Sequence, residues 1–358
     1  MPKKMTANAK KSSLAYNTLM DIDTVKSIVE LCKTGLKSRA VSMQVFGKES
    51  RKSIINYIYS AYNADCLYVS GTPYQYYDGP SSPTTQPVDT NTTPLFQKEP
   101  KILIFDIETA PFLAYAWSRF KNYTSDAQVV QEGYVLCWAA KWLGNDNIMF
   151  DSIWQHDAKV SEGNDYEVCK SLHALFDEAD IVVAHNGNRF DVPLMNTRFL
   201  FHRLPPNTPY KKVDTLSILR HNFMLPSNKL SSAAIYLGLT DKMDAGGFHT
   251  WLGCINGDEE HQEHMLTYNI QDVLTLEELY LRVRPWYNSH PNVSLYYSNP
   301  TNRCPCCGSV NVTTQNPDTH TAVSAMTVYP LVICNNCGKR SRKATKLSSS
   351  VGVLRNIP

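Results

Sequence analysis

Two acidic side chains stand two positions apart, at Asp106 and Glu108, directly after the apolar run 102–105. Such a run predicts a buried strand, and alternate residues of a strand point to the same face. Two carboxylates at the end of a buried strand are unfavourable unless a cation offsets their charge, and divalent metal ions favour oxygen ligands. The pattern therefore predicts a metal site here. A strand end with two solvated acids is the alternative.

A second acidic position follows a later strand. Residues 180–186 form a short apolar run that ends in polar residues, and Asp191 opens the helix predicted over 191–203. A helix N-terminus favours a carboxylate, so helix capping is the alternative role for Asp191. Asp214, at the end of a short strand predicted over 212–215, is a weaker candidate, for which a structural role is favoured.

The third locus is the pair Tyr268 and Asp272, four residues apart in a helix predicted over 258–284. Helical spacing places both side chains on one face. Apolar neighbours mark the buried stripe of this helix, namely Met265, Val273, Leu276 and Leu279. A hydrogen-bonded tyrosine beside a solvent-facing aspartate is the alternative interpretation.

The elements that would position these acids alternate as in an α/β domain. An opening strand over 101–109 and two further apolar runs predict an antiparallel meander, and helices then alternate with strands. The further strands are predicted over 134–143, 147–154, 180–186 and 212–215, and the helical segments over 166–178, 191–203, 216–240 and 258–284. The fold expected is a mixed sheet flanked by helices.

Taken together, the three loci resemble the motifs of the DEDD superfamily of ribonuclease H-like 3′–5′ exonucleases, tyrosine subtype, which includes polymerase proofreading domains. The motifs are Asp106-Ile107-Glu108-Thr109, His185-Asn186-Gly187-Asn188-Arg189-Phe190-Asp191 and the segment 268–272. The resemblance covers roughly residues 100–285. It is nearest to stand-alone, often phage-encoded relatives, and no polymerase domain fits in the remaining residues.

The resemblance implies a metal-dependent 3′–5′ exonuclease that acts on DNA and releases nucleoside 5′-monophosphates. Two Mg²⁺ or Mn²⁺ ions about 4 Å apart would be the cofactors. Tyr268 would orient the attacking water, because a phenol with a pKa near 10 is a poor base at neutral pH. The carboxylates that would hold the ions are Asp106, Glu108, Asp191 and Asp272.

Residues beside these acids are candidate contacts to the terminal nucleotide, with strand-end hydrogen bonding as the alternative: Thr109, His185, Asn186 and Asn188. An exoribonuclease or a structure-specific endonuclease would share the two-metal site. An inactive nuclease fold that only binds nucleic acid is the alternative from another class. The expected residues at all five catalytic positions argue against it.

The C-terminal region carries a separate metal motif, two CxxCG knuckles formed by Cys304 and Cys307 and by Cys334 and Cys337. Four thiolates at this spacing predict a zinc ribbon with one bound Zn²⁺. The ion would be structural, because four thiolates leave no coordination position open for chemistry. Cys306 is left outside the set. The basic residues over 339–346 suit contact with nucleic acid or a partner, with a purely stabilising module as the alternative.

The net charge of +2, from 35 basic and 33 acidic residues, hides basic ends. Lysines crowd the first eleven residues, and no acid follows Asp318. Basic ends suggest arms that bind polyanions, and solubility charge is the alternative. Without a transmembrane run or a signal-peptide pattern, we expect a soluble, intracellular protein of a reducing cytoplasm, or of the host cytoplasm for a phage. Single-stranded DNA or a DNA 3′ end is the expected partner, with a separate replication or polymerase protein as a further one.

The chain is predicted to divide into six segments. Short helices split by glycine turns suggest a helix-turn-helix-like unit near the N-terminus that contacts DNA, with a packing or protein-contact module as the alternative. The segments are a disordered basic tail (1–20), the helical unit (21–70), a Pro/Ser/Thr-rich linker (71–100), the ribonuclease H-like exonuclease domain (101–290), the zinc ribbon (300–345) and a tail (346–358).

Overall fold

A computed structural model describes most of the chain. The described residues are 15–18, 22–46, 52–63, 67–69, 72–73, 99–120, 123–156, 159–239, 246–324 and 327–347. The predicted linker, apart from 72–73 and 99–100, lies outside the described residues. So do the predicted tails, apart from 15–18 and 346–347.

The described residues contain strands in three sheets. In chain order the strands are β1 (Ala15–Thr18), β2 (Leu67–Val69), β3 (Thr72–Pro73), β4 (Ile102–Thr109), β5 (Leu113–Ala114), β6 (Val129–Gln131), β7 (Val135–Trp142), β8 (Asn147–Ser152), β9 (Ile181–Ala184), β10 (Lys211–Asp214), β11 (Val312–Thr314), β12 (Thr321–Val323), β13 (Val328–Cys334) and β14 (Arg340–Arg342). The α-helices of the same residues are α1 (Ile22–Lys33), α2 (Ser38–Phe46), α3 (Lys52–Asn63), α4 (Tyr166–Glu178), α5 (Asp191–Phe201), α6 (Thr215–Asn222), α7 (Leu230–Leu237), α8 (Phe248–Ile255) and α9 (Glu259–Val283).

The central sheet is mixed and has the order β10-β9-β4-β7-β8-β1-β2-β3. β4, β7 and β8 form the predicted antiparallel meander, whereas β9 lies parallel to β4 and β10 lies parallel to β9. Strands β4, β7 and β9 are apolar because both faces of the sheet are covered. The predicted α/β fold, a mixed sheet flanked by helices, is confirmed.

Helices α4 and α9 cover opposite faces of the sheet. On β7, Trp138 Nε1 donates a hydrogen bond to the Val168 carbonyl oxygen of α4, and Lys141 forms a buried ion pair with Glu277 of α9. Trp138 and Lys141 are an odd number of residues apart, so their side chains point to opposite faces. Any side chain of the central strands can therefore be assigned to the α4 face or the α9 face.

The long helix α9 begins after its N-cap Asp258, which accepts hydrogen bonds from the backbone of Glu260 and His261. It ends at Val283, two residues before Pro285, as a proline cannot continue the hydrogen-bond ladder. None of the helices among the described residues combines the length and the apolar character needed to cross a bilayer.

The N-terminal part extends the central sheet. β1 lies parallel to β8 and to β2, within the segment predicted as a disordered tail. Helices α1 to α3 pack together, and α3 also contacts α9. Their buried residues, including Val25, Ile28 and Ile55, belong to the same hydrophobic core as the central strands. The predicted helices over 21–70 therefore share a core with the α/β domain, and their contact with DNA stays a prediction.

The C-terminal part forms its own antiparallel sheet, in which β13 pairs with β11, β12 and β14. Lys339 Nζ donates hydrogen bonds to the Tyr287 carbonyl oxygen (3.1 Å) and to Asn288 Oδ1 (3.2 Å). The backbone N–H of Val293 donates to the Pro305 carbonyl oxygen at 2.8 Å. These bonds tie the small sheet to the segment that follows α9.

Candidate active site

Strand β4 presents Asp106 and Glu108 to the α9 face of the sheet. Asp106 Oδ2 accepts a hydrogen bond of 2.7 Å from Asn269 Nδ2 on α9. Phe105 points the other way and packs edge-on against Phe176 of α4. Glu108 shares the face of Asp106 because alternate residues of a strand do so. The β4–β7 register shifts directly after Glu108, a local irregularity of the kind that re-aims side chains near active sites.

Helix α5 brings the second locus, Asp191, close to strand β4. Asp191 is the first residue of α5 and is 97% buried, with 3% of its surface exposed. The capping position is the preceding residue, Phe190, which has no side-chain acceptor. The backbone of Ile107 lies close enough to the Asp191 carboxylate to lower its pKa by hydrogen bonding, against a larger increase from burial. Asp191 therefore lies beside β4.

Asp214 holds the loop that precedes α5. Its Oδ1 accepts hydrogen bonds from the backbone N–H groups of Asn186 (3.0 Å) and Ser217 (3.2 Å). Its Oδ2 accepts one from the Asn188 N–H group (3.1 Å). The geometry thus favours the structural role: Asp214 caps α6 and fixes the loop that presents Asp191.

Helix α9 contributes Tyr268 and Asp272, whose side chains are hydrogen-bonded to each other. Burial raises the pKa of Tyr268, and the negative charges of Asp272, Glu108 and Asp106 raise it further. The hydroxyl is therefore protonated at neutral pH. A protonated phenol can donate one hydrogen bond, here to Asp272, while its oxygen accepts another.

The four carboxylates repel one another. Burial and the charges of Asp191, Glu108 and Asp272 raise the pKa of Asp106 well above its usual range. Burial, Asp272 and Asp191 raise the pKa of Glu108 to about 8, and burial with the Asp214 charge raises that of Asp191 to about 7. In the described part of the chain, no lysine or arginine forms an ion pair with Asp106, Glu108 or Asp191. Divalent cations would relieve this repulsion, and the donor set of carboxylate oxygens fits Mg²⁺ or Mn²⁺.

His185 is held by the protein on both sides of its ring. Its Nε2 lies 2.9 Å from the Asn228 carbonyl oxygen, and its Nδ1 lies 2.8 Å from Thr215 Oγ1. Burial lowers the pKa of His185, so the ring is neutral, with Nε2–H donating and Nδ1 accepting. The geometry favours strand-end hydrogen bonding for this residue over contact with a nucleotide.

A cavity of about 760 Å³ lies at the end of β4, next to one of the other candidate substrate contacts. Thr109 lines this cavity with Arg189 and Phe190, two residues of the second motif that the sequence interpretation left out. Asn186 adopts a left-handed backbone conformation (φ 74°) and is partly exposed, and Asn188 is exposed. Their side chains are therefore accessible, while their backbone N–H groups bind Asp214.

Asn269 is a site residue that sequence reasoning missed. It is fully buried, and it positions the Asp106 carboxylate. The signal was present in the third motif, because an asparagine on the buried face of a helix needs a polar partner.

Part of the chain is similar to a known protein family. Residues 137–284 match the family model RNase_H_2, described as the RNase_H superfamily. This part of the chain is therefore similar to the RNase_H superfamily. The matched region includes Asp191, Tyr268 and Asp272 and begins after Asp106 and Glu108.

Searches of curated proteins and of solved structures gave two further results. The search of curated proteins gives no match. Among solved structures, the family B DNA polymerase from the hyperthermophilic archaeon Pyrobaculum calidifontis is similar, with 15% identity and a TM-score of 0.40. That similarity covers 60% of this chain and 27% of the polymerase chain, so this chain spans about a quarter of the polymerase.

Beyond the α/β domain, four cysteines converge in the C-terminal sheet. The Sγ atoms of Cys304 and Cys337 lie 3.6 Å apart, as do those of Cys307 and Cys334, and all four lie within 4.8 Å of one another. Tetrahedral zinc with Zn–S bonds of about 2.3 Å would separate its sulfurs by about 3.8 Å. The predicted four-cysteine set therefore fits Zn²⁺. Cys306 is buried beside the set but is not part of it.

Both knuckles use glycine for the same turn. Gly308 and Gly338 have φ values of 74° and 75°, in the left-handed region that favours glycine. The Gly308 N–H donates to the Cys304 carbonyl oxygen (2.9 Å), and the Gly338 N–H donates to that of Cys334 (3.0 Å). The glycine of each CxxCG motif thus closes the turn that brings its two thiols together.

We expect Mg²⁺ to stabilise the α/β domain more strongly at alkaline than at acidic pH. The pKa values of Glu108 and Asp191 are raised above the usual carboxyl range, so metal-free folding favours their protonated forms. The stability that the metal-free protein gains from these protonated carboxyl groups is present below about pH 4 and is lost as the pH rises through 7 to 8. Binding of Mg²⁺ needs the ionised forms, so the ion should raise the melting temperature by about 3 °C or more at about pH 8 and by less at about pH 5.5.

Scanning calorimetry with Mg²⁺ and with EDTA at both pH values measures this difference. Glu108→Gln should reduce the Mg²⁺-dependent increase at alkaline pH, because it removes one anionic ligand. An increase of the same size at both pH values would contradict the proposed ionisation behaviour.

Proposed function

We propose that the chain is a metal-dependent 3′–5′ exonuclease. It would hydrolyse the phosphodiester bonds of DNA from the 3′ end by a two-metal mechanism and release nucleoside 5′-monophosphates. The observation that carries this proposal is the convergence of four repelling carboxylates from three distant parts of the chain, beside the protonated Tyr268. The similarity of residues 137–284 to the RNase_H superfamily supports it, since many nucleases act through paired divalent ions.

Within this proposal the carboxylates of Asp106, Glu108, Asp191 and Asp272 hold the two Mg²⁺ or Mn²⁺ ions. When bound, the ions supply charge stabilisation to the attacking and departing oxygens of an in-line displacement. Asn269 donates to Asp106 Oδ2, which fixes the carboxylate and leaves Oδ1 free to act as a ligand.

Tyr268 positions the water that attacks phosphorus. Its proton is directed to Asp272, so the phenol oxygen can accept a hydrogen bond from the water and align it. The new bond joins the water oxygen to phosphorus, and the bond from phosphorus to the 3′ oxygen breaks. The attacking water gives up a proton to solvent, and the departing 3′ oxygen takes one up from solvent to become the 3′ hydroxyl of the shortened strand. The released nucleotide carries the 5′ phosphate.

Tyr268→Phe is expected to lower turnover by roughly 10- to 100-fold without removing the metal ions, because it disturbs only the position of the water. Initial rates on single-stranded DNA and Mn²⁺ titration by calorimetry measure the two effects separately. Tyr236→Phe, at an exposed position of α7, is the matched control and should behave as the parent chain. An unchanged rate in Tyr268→Phe would remove the water-positioning role.

A substrate panel tests the proposed activity. Single-stranded DNA, duplex DNA, RNA and branched DNA are each incubated with Mg²⁺ or with EDTA. We expect mononucleotides from single-stranded DNA in Mg²⁺ alone. Faster release from RNA would indicate the exoribonuclease, internal cuts in branched DNA would indicate the endonuclease, and binding without hydrolysis would indicate an inactive nuclease fold.

The remaining predictions concern the zinc site, the partners, and the origin and location of the protein. One structural Zn²⁺ would be held by the four cysteines of the C-terminal sheet, whose geometry fits it. A DNA 3′ end would be the nucleic-acid partner. A separate replication or polymerase protein, a phage origin and a cytoplasmic location stay predictions from the sequence.

A further inference from the structure

Five aromatic side chains between β4 and β6 are exposed to solvent. They fall within twelve residues of sequence, and four of them are exposed over more than three quarters of their surface. We call these five residues the aromatic arm: Phe112 (53% exposed), Tyr115 (78%), Trp117 (99%), Phe120 (83%) and Tyr123 (96%). A concentration of exposed apolar side chains in one short segment indicates an interaction site.

The backbone at the base of the arm is hydrogen-bonded, and the rings of the arm are exposed. β5 and β6 pair in an antiparallel ladder, with Ala114 opposite Val129. The Tyr115 N–H donates to the Gln128 carbonyl oxygen, and Gln128 Nε2 donates to the Tyr115 carbonyl oxygen, both at 2.9 Å. At the root of the arm, a Cβ on Gly133 would lie 2.8 Å from the Ala110 carbonyl oxygen. The arm is thus a hydrogen-bonded projection that carries its rings outward.

In the chain, the arm directly follows β4, the strand that bears Asp106 and Glu108. β4 ends at Thr109, and the Ala110 N–H donates to the Tyr134 carbonyl oxygen at 2.8 Å where the chain returns to β7. The cavity at the end of β4 is lined by Thr109, by residues 131–134 at the root of the arm, and by Phe190 and Phe201. The root of the arm and Thr109, the residue after Glu108, therefore share one cavity.

The charge of the segment suits an anionic ligand. Residues 110–125 contain no aspartate or glutamate, and Arg119 is exposed among the rings. Exposed aromatic rings interleaved with a cation bind single-stranded nucleic acid, because each base can stack on a ring while the phosphates stay near the cation. Bases in a duplex already stack on each other and offer no free face along the helix.

We propose that the aromatic arm is a stacking platform for the bases of a single strand whose 3′ end lies at the carboxylates. The inference rests on the proposed function for the polarity of the strand. It names the substrate as single-stranded nucleic acid. The arm provides the affinity for the strand, and the carboxylates provide the hydrolysis.

Binding of a fluorescent single-stranded oligonucleotide, measured by anisotropy in EDTA so that no hydrolysis occurs, tests the proposal. Trp117→Ala should weaken binding by about 5- to 100-fold, and Trp117→Ala with Phe120→Ala should weaken it further. Tyr236→Ala, which removes an exposed aromatic ring of α7, is the matched control and should leave binding unchanged. Unchanged melting temperatures check that the variants fold.

A small substrate separates the arm from the catalytic centre. Hydrolysis of thymidine 5′-monophosphate p-nitrophenyl ester in Mg²⁺ needs the carboxylates alone, so the parent chain and Trp117→Ala should hydrolyse it at the same rate. If the parent chain hydrolyses neither this ester nor DNA, yet binds single strands through Trp117, the proposed function fails and the stacking platform stands.

Other outcomes overturn the stacking platform. If Trp117→Ala binds single strands as tightly as the parent chain does, the stacking platform is refuted, even if both proteins digest DNA. Equal weakening for duplex and single-stranded oligonucleotides would contradict stacking on free bases. If the arm variants bind DNA normally but change the sedimentation of the protein, the arm is a protein interface instead.

Discussion

Asp106→Asn is expected to abolish the metal-dependent hydrolysis of DNA, lowering the rate by about 10³-fold or more, since bound metal ions supply several kcal/mol of transition-state stabilisation. Asp106 is the centre of the site, because the charges of Asp191, Glu108 and Asp272 all act on it. Asparagine has the same shape and can still accept the hydrogen bond from Asn269 Nδ2. The substitution therefore removes a metal ligand and leaves the fold in place.

The measurement is the initial rate of mononucleotide release from single-stranded DNA in Mg²⁺, with the melting temperature as the check on folding. Asp146→Asn, at an exposed acid in the turn between β7 and β8, is the matched control and should retain full activity. Normal digestion by Asp106→Asn would place the catalytic centre elsewhere. Equal loss in both variants would point to a general effect of charge.

Cys304→Ser is expected to release the zinc ion and unfold the C-terminal sheet. The buried cluster of this sheet consists of Cys304, Cys306 and Cys334, with Cys307, Val312 and Cys337 packed against it. So small a core cannot hold strands together without a cross-link or a metal, and structural zinc binding contributes about 10–16 kcal/mol in zinc-finger peptides. The zinc content should fall from about one ion per chain to nearly none, because serine replaces a thiolate ligand.

Cys306→Ser is the matched control, because Cys306 is buried next to the proposed zinc ligands but lies outside the four-cysteine set. It should keep about one zinc ion per chain and resist proteolysis over residues 300–347, where Cys304→Ser becomes sensitive. Complete loss of zinc in Cys306→Ser would reassign the ligand set, and a zinc-free parent chain would refute the zinc ribbon.

The elements around the site could be predicted because their signals are local. The apolar runs of β4, β7 and β9 mark strands that are covered on both faces, and the end of α9 follows from Pro285. The position of β1 could not be predicted, since this four-residue strand pairs with β8, about 130 residues further along the chain. Nothing near β1 in the sequence encodes that partner, so the N-terminal helices looked like a separate unit.

The carboxylates and cysteines could be selected as candidate metal ligands because metal chemistry restricts the residue types and spacings that can serve. The structural roles of neighbouring polar residues depend on which strands lie side by side. Asp214 reaches the backbone of Asn186 and Asn188 because β10 lies next to β9, and His185 is engaged by Thr215 for the same reason. Sequence spacing alone does not distinguish these residues from contacts to a nucleotide.

The most direct test of the metal site is a crystal structure of the chain soaked in Mn²⁺, with the ions located by anomalous scattering. The expected result is two manganese ions about 4 Å apart, with carboxylate oxygens of Asp106, Glu108, Asp191 and Asp272 as ligands. Manganese bound elsewhere, with none among these four carboxylates, would contradict the two-metal site.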